Sequence, residues 1–361
     1  MACAVGALLT VTPADAHRGG DACPDTLPAS LPVSGRDAAL IVDGQSGQVL
    51  YARNAAAERH PASLTKMMTL YLLFEALKAH RISLATPITI SRHAAAQLKV
   101  NLGLAPGMTM SVDTAIKAII VRSANDVAVA VAEAVGGTEG HFAQLMTEKA
   151  RALGMRNTFY HNASGLPDVL QVTTADDLAL LARRLAYDFP QYYPYFATPS
   201  FSYHGMTYYT HDNLLGRFKG TDGIKTGYTN ASGFNLVSSV VRDGAHVIGV
   251  VMGGNTARQR DNEMVRLLSS TFMRVQQNPA LVAHGVIPWK SAPAETISPP
   301  PAQVTLPGPP APLIALSAPT LSPFLSKSGE IDEDMAESYV GNASLPEQKS
   351  DCVTHRSNRR V

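Results

Sequence analysis

Ser63-Leu64-Thr65-Lys66 is the stretch on which the reading of this chain turns. It opens an apolar-periodic run, Leu64 to Leu77, which predicts a helix with Ser63 at its first turn. A lysine three residues after a serine then lies on the same helix face as the hydroxyl. Two further short patterns follow in order, Ser123-Ala124-Asn125 and Lys225-Thr226-Gly227. S-x-x-K, S-x-N and K-T-G each occur once. One such pattern alone is weak, because short runs of common residues arise by chance. The ordered set, at spacings that suit a single catalytic domain, is far more specific.

Upstream of the serine, Ala38 to Val42 is an apolar run, Asp43 to Gly47 a glycine-bearing turn, and Gln48 to Tyr51 a second strand. Downstream, Ser111-Val112-Asp113-Thr114 opens a helix over Ala115 to Val121 that runs into Ser123. A helical pattern continues through Ala134 and stops at Gly136-Gly137. It resumes from His141 to Leu153 and ends at Gly154. Thr174 caps a further helix through Leu185. From about residue 218 the pattern turns to strand. Gly223 to Gly227 starts it, and Phe234 to Val241, Asp243-Gly244 and His246 to Met252 read as a hairpin. Arg258 to Val275 reads as a closing helix. A helix-rich segment between strands at both ends predicts an α+β fold, its sheet assembled from N- and C-terminal pieces.

The rest of the chain divides by composition. Residues 1–16 read as the remnant of an export signal, with apolar Cys3 to Val11 and an Ala14-Asp15-Ala16 cleavage pattern. Residues 17–36 read as a leader, 37–280 as the catalytic domain, 281–325 as a Pro-rich linker and 326–361 as a disordered polar tail. No run of about twenty apolar residues follows the signal, so no transmembrane helix is expected. A net charge of +1 and a single Trp argue against a nucleic-acid role. Signal cleavage would remove Cys3. Cys23 and Cys352 then remain, read as free thiols near the two ends, although an oxidising compartment would allow them to pair. No metal-ligand spacing is present, and no cofactor or metal is expected.

The chemistry of the three motifs is coherent. A serine hydroxyl becomes a nucleophile only when a base takes its proton. Lys66 is the leading base for Ser63, provided burial beside a second cation lowers its pKa, and Lys225 is the plausible second cation. Ser123 is placed to relay a proton to the leaving amine, and the Asn125 amide suits holding a substrate peptide group. Lys225 and Thr226 suit a substrate carboxylate, and Gly227 lets a substrate backbone approach the strand edge. The backbone N–H of Tyr228 would join that of Ser63 as an oxyanion hole. Arg260, opening the last helix, is a weaker candidate for carboxylate binding, with a surface role nearly as well supported. His161 and Asn162 are expected to fix a loop.

On these residues the chain resembles the low-molecular-mass penicillin-binding proteins that act as serine-type D-alanyl-D-alanine carboxypeptidases. The resemblance covers roughly residues 35–280. It includes Ala62 to Met68, Ser123 to Ala128, the Asn162-Ala163-Ser164-Gly165-Leu166 loop, and Asp222 to Thr229 with Ser232-Gly233. It implies the DD-peptidase and β-lactamase fold: a helical subdomain beside a five-stranded antiparallel sheet flanked by helices. It implies an exported, periplasmic or envelope enzyme that removes the terminal D-Ala from peptidoglycan stem pentapeptides through a Ser63 acyl-enzyme. It also implies that β-lactams act as covalent inhibitors and that no cofactor is needed. Many members carry a second, β-rich domain and an amphipathic anchor helix. The Pro-rich stretch and polar tail stand in their place here, which leaves membrane attachment in doubt. The alternatives are a D,D-endopeptidase or transpeptidase on the same scaffold, a class A β-lactamase, and a non-catalytic peptidoglycan-binding protein. The β-lactamase would need a Glu in E-x-x-x-N, and Glu133, Glu139 and Glu148 lack the Asn. The intact motif residues argue against the non-catalytic protein.

Overall fold

The computed structural model describes residues 35–291. The export signal, nearly all of the leader, the three cysteines, the linker beyond residue 291 and the tail lie outside the described residues.

The apolar run beginning at Ala38 forms β1 (Ala38–Asp43), and β2 (Val49–Arg53) returns antiparallel to it. The helix expected after Ser63 is α1 (Lys66–Lys78), buried on nearly every side, as its continuous apolar sequence requires. The chain then makes a small outlying unit of β3 (Pro87–Thr89), α2 (Arg92–Ala95) and β4 (Thr109–Ser111). Ser111 caps α3 (Val112–Lys117) by accepting from the Thr114 amide. α4 (Asn125–Gly136), α5 (Glu139–Leu153) and α6 (Ala175–Asp188) complete the helical part. Thr174 caps α6 through the Asp177 amide, as the sequence predicts. A two-stranded ribbon follows, β5 (Ser200–Tyr203) and β6 (Met206–Tyr209). The C-terminal strands are β7 (Thr221–Thr229), β8 (Gly233–Arg242) and β9 (Ala245–Gly254), followed by α7 (Ala257–Gln277) and the single turn α8 (Pro288–Ser291).

The main sheet has five strands in the order β2-β1-β9-β8-β7, all neighbours antiparallel. N- and C-terminal pieces meet at β1 and β9, where Ile41 faces Gly249. Side-chain alternation splits β1 between two cores. Ala39 and Ile41 pack with Met264, Leu267 and Leu268 of α7, while Leu40 and Val42 join the core of the helical part. A strand covered on both faces needs apolar residues at every position, which is why β1 reads as an unbroken run. β7 is an edge strand, backed by β8 alone, so its outer edge can take an extended peptide.

The fold runs past the expected boundary at residue 280. Trp289 is buried, its ring 4.4 Å from that of Tyr193 and 5.0 Å from that of His246. Its Nε1 donates to Asp222 Oδ2 at 2.8 Å, on the strand that carries Lys225. The other oxygen of Asp222 accepts from Ser239 Oγ at 2.7 Å. Residues 281–291 therefore belong to the packed body rather than to a linker. Trp289→Ala should cost about 3–5 kcal/mol, the scale for emptying a large aromatic site. It should show as a lowered urea midpoint with an unchanged slope. A loss below about 1 kcal/mol would mean that this segment only rests on the surface.

Candidate active site

Ser63 stands in one turn of 3-10 helix, Ala62–Thr65, that leads directly into α1. Two glycines let neighbouring backbone close on this turn. Gly165 has φ +85°, and a Cβ there would lie 1.9 Å from the Ala62 carbonyl oxygen. A Cβ on Gly227 would come within 3.0 Å of the Ser63 nitrogen. The Ser63 turn is thus gripped between the 162–166 loop and β7. Asn235 of β8 anchors the approach, donating from Nδ2 to the carbonyls of His60 (3.1 Å) and Pro61 (3.2 Å).

Lys66 is completely buried, and its three neighbours decide what it does. Nζ donates to Asn125 Oδ1 at 2.7 Å and to the Ser164 carbonyl, and it lies 3.0 Å from Ser63 Oγ. The Asn125 amide is oriented independently, because its Nδ2 donates to the Leu98 carbonyl at 2.9 Å. Two of the three neighbours are therefore acceptors that have no proton to give. A neutral amine has two N–H bonds and one lone pair. With both N–H bonds committed, the lone pair faces Ser63. Burial, and after it the charge of Lys225, hold Lys66 well below the usual lysine range, against an opposing pull from Asp126. The neutral form required of a base is thereby favoured.

The second motif begins where α3 loosens into a π turn, Ala118–Arg122, and Ser123 takes a left-handed conformation at φ +59°. Its hydroxyl is buried and has no hydrogen-bond partner among the described residues. Asn125 opens α4, with its own N–H donating to the Val100 carbonyl at 2.8 Å. Beside it, the Asp126 carboxylate accepts the amides of Leu102 and Gly103, with the Leu104 amide at 3.4 Å, and so secures the 98–104 loop that orients Asn125.

On β7, Lys225 is buried and donates to the Thr226 carbonyl at 3.0 Å. Burial outweighs the attraction of Asp212, and with the repulsion of Arg260 it pushes the Lys225 ammonium down to about 7. Thr226 is buried next to it, and Gly227 follows against the Ser63 turn. The Tyr228 ring packs on Phe234 and its hydroxyl donates to Asn230 at 2.7 Å. Arg260 is buried, with its guanidinium committed to Asp261 (2.7 Å) and the Asn235 carbonyl (3.3 Å); it acts on the site through its charge. Asn162 fixes its loop as expected, accepting from the Gly165 amide at 2.7 Å and donating to the Leu166 carbonyl at 3.0 Å.

Sequence reading missed Asp126, Asp212 and His211. Asp212 is buried, its Oδ1 accepts from the Leu214 amide at 3.0 Å, and burial pushes its carboxyl up to about 6. His211 is pushed down to about 4 by burial and then by the positive charges around it, Lys225 first. Among the described residues no cluster of His, Cys, Asp and Glu could hold a metal ion.

A serine whose hydroxyl faces the lone pair of a buried lysine, beside a second lysine on an open strand edge, is built for acyl transfer to serine. The chain belongs to the peptidase S11 family, D-alanyl-D-alanine carboxypeptidase, whose pattern matches residues 29–256. The D-alanyl-D-alanine carboxypeptidase DacA of Escherichia coli K12 is 35% identical over 254 residues, covering 68% of this chain and 63% of that protein. The chain thus spans less than two thirds of that relative's length. Penicillin-binding protein 6B of Escherichia coli is 32% identical, with a TM-score of 0.63 over 68% of this chain and 79% of that one. Penicillin-binding protein D2 of Listeria monocytogenes, solved with ampicillin bound, is 29% identical, with a TM-score of 0.59 over 68% of this chain and 99% of that one.

Proposed function

We propose that this protein is a penicillin-sensitive serine D-alanyl-D-alanine carboxypeptidase acting on peptidoglycan stem pentapeptides outside the cytoplasmic membrane. One observation carries the reading: buried Lys66 Nζ lies 3.0 Å from Ser63 Oγ, and its two other partners, Asn125 Oδ1 and the Ser164 carbonyl, are acceptors with no proton to give. The substrate lies extended along the open edge of β7, its terminal carboxylate on Lys225 and Thr226 within the field of Arg260. Lys66 takes the Ser63 proton as Oγ attacks the penultimate D-Ala carbonyl. The oxyanion forms between the amides of Ser63 and Tyr228, whose neighbourhood is set by the close packing of Gly227 on the serine turn. The proton passes by way of Ser123 to the leaving D-Ala amine, and water then hydrolyses the ester. Asn125 holds the substrate amide.

The Asn162 to Gln171 loop packs against the serine turn and contains no Glu, so nothing in it supplies the deacylating base of a class A β-lactamase. This supports a long-lived penicilloyl-enzyme. No helix among the described residues is long and apolar enough to cross a membrane. The test is D-Ala release from a synthetic stem pentapeptide by the purified protein, with a penicillin-saturated sample as control. Stoichiometric blockage by penicillin is the expected result. Penicillin turnover without D-Ala release would replace the reading with a β-lactamase.

A further inference from the structure

We propose that Asp222, near the start of β7, is a positioning residue that pins the register of this strand and thereby the place of Lys225. The inference rests on the reading of Lys225 as the anchor for a substrate carboxylate.

Lys225 has little of its own to hold it. Among the described residues the one hydrogen bond of its Nζ is to the Thr226 carbonyl, a group of the same strand. The β7 backbone therefore decides where the ammonium stands. That backbone bulges just before the lysine. Thr221 pairs with Val240 and Gly223 with Ser239, so Asp222 is an extra residue with no partner on β8. Lys225 faces Val237 only while the bulge is kept. A slip of one position would turn its side chain to the other face of the sheet. Bulges of this kind re-aim side chains beside active sites.

Asp222 is buried and held from two sides. Oδ1 accepts from Ser239 Oγ of β8 at 2.7 Å, and Oδ2 accepts from Trp289 Nε1 at 2.8 Å, with Lys290 Nζ 3.0 Å away. The first of these bonds is itself braced. Burial, against the pull of Asp222 and Asp43, pushes His246 down to about 4, so its ring is neutral at neutral pH. A carboxylate only accepts, so Ser239 gives its proton to Asp222 and accepts from His246 Nε2 at 3.0 Å. His246 Nδ1 then accepts from the Tyr187 hydroxyl at 2.9 Å. One direction of donation satisfies the whole chain, from α6 through β9 and β8 to the bulge. The charges that bear on Lys225 are those of Asp212 and Arg260, so Asp222 acts on it through the backbone.

The test measures acylation of the full chain by benzylpenicillin and by its methyl ester, which lacks the carboxylate charge. The ratio of the two second-order rate constants reads carboxylate recognition, and any unfolded fraction cancels within each enzyme. The wild-type ratio should be about tenfold or more, the scale of a hydrogen bond to a charged group. Asp222→Ala should lower it about fivefold, by freeing the bulge. Asp222→Asn can keep both bonds by reversing the chain, with Oδ1 on Trp289 and Nδ2 donating to Ser239, and should stay within about twofold of the wild type. Trp289→Phe keeps the ring and loses the N–H, and should lower the ratio about threefold. An unchanged ratio in Asp222→Ala, or in Trp289→Phe if the first variant does not fold, would overturn the inference. So would a wild-type ratio near one, or a loss in Asp222→Asn equal to that in Asp222→Ala. D-Ala release from Nα,Nε-diacetyl-Lys-D-Ala-D-Ala by the wild type tests the underlying reading separately. No release, with the pattern of ratios intact, would overturn the carboxypeptidase reading and leave the positioning role standing.

Discussion

Ser63→Ala protein should carry no covalent penicillin after incubation that labels the wild type to completion. The expectation comes from the surroundings of each hydroxyl. Ser63 Oγ is the one hydroxyl on Lys66 Nζ, at 3.0 Å, and the other neighbours of that amine are carbonyl oxygens. Ser123, the nearest alternative by motif, has no hydrogen-bond partner among the described groups and no base on it. The substitution removes one oxygen whose one hydrogen bond among the described residues is to Lys66, so the fold should persist. Loss of a nucleophile of this type costs on the order of 10⁶ in rate. Intact-protein mass spectrometry reads the adduct directly. A penicilloyl mass on folded Ser63→Ala protein would place the nucleophile elsewhere and undo the assignment of Lys66 with it.

The second large effect concerns the base. Lys66→Arg keeps a cation of similar reach but one that stays protonated at any accessible pH. If Lys66 only stabilised charge, the variant would retain much of its activity. If it removes the Ser63 proton, acylation by penicillin should fall by roughly 10³-fold, within the span of general-base effects. The pH profile separates the two further. Burial and Lys225 lower the pKa of Lys66, so wild-type acylation should rise with pH as Lys66 loses its proton. Lys225 is pushed down to about 7, so above that pH the free enzyme loses the charge proposed to anchor the substrate carboxylate, and kcat/KM should fall. The two amines interact, so both limbs of the bell belong to the pair. Lys66→Arg should lack the acidic limb. A variant with near wild-type acylation and an unchanged acidic limb would exclude Lys66 as the base.

Much of this was legible in the sequence because it depends on period and on local chemistry. β1 reads as a strand buried on both faces, the caps at Ser111 and Thr174 sit where their side chains predict, and the three motifs converge on one site. What escaped depends on contacts distant in the chain. β3 and β4 are three residues each and pair only with one another, too short to show alternation. The π turn before Ser123 looks like ordinary helix, since the left-handed serine that ends it has no sequence signature. Asp126 and Asp212 act by accepting backbone amides from loops, which composition does not announce. The boundary beyond residue 280 did carry a signal: the chain's single tryptophan lies there, and a residue of that size is rarely left in solvent.

The joining of β1 to β9 also sets the order in which the molecule can become active. As the chain is synthesised, β1 and β2 must wait through the whole helical part before β9 arrives to fill the gap beside them. A lone two-stranded hairpin is marginal in water, and its open edge invites misassociation. Ser63 and Lys66 are made early, yet Lys225 and the Tyr228 amide arrive with the same late hairpin that closes the sheet. On the proposed reading, a chain that still lacks β7 has neither the lysine for a substrate carboxylate nor the second amide for an oxyanion. Penicillin capture would then report the last step of folding.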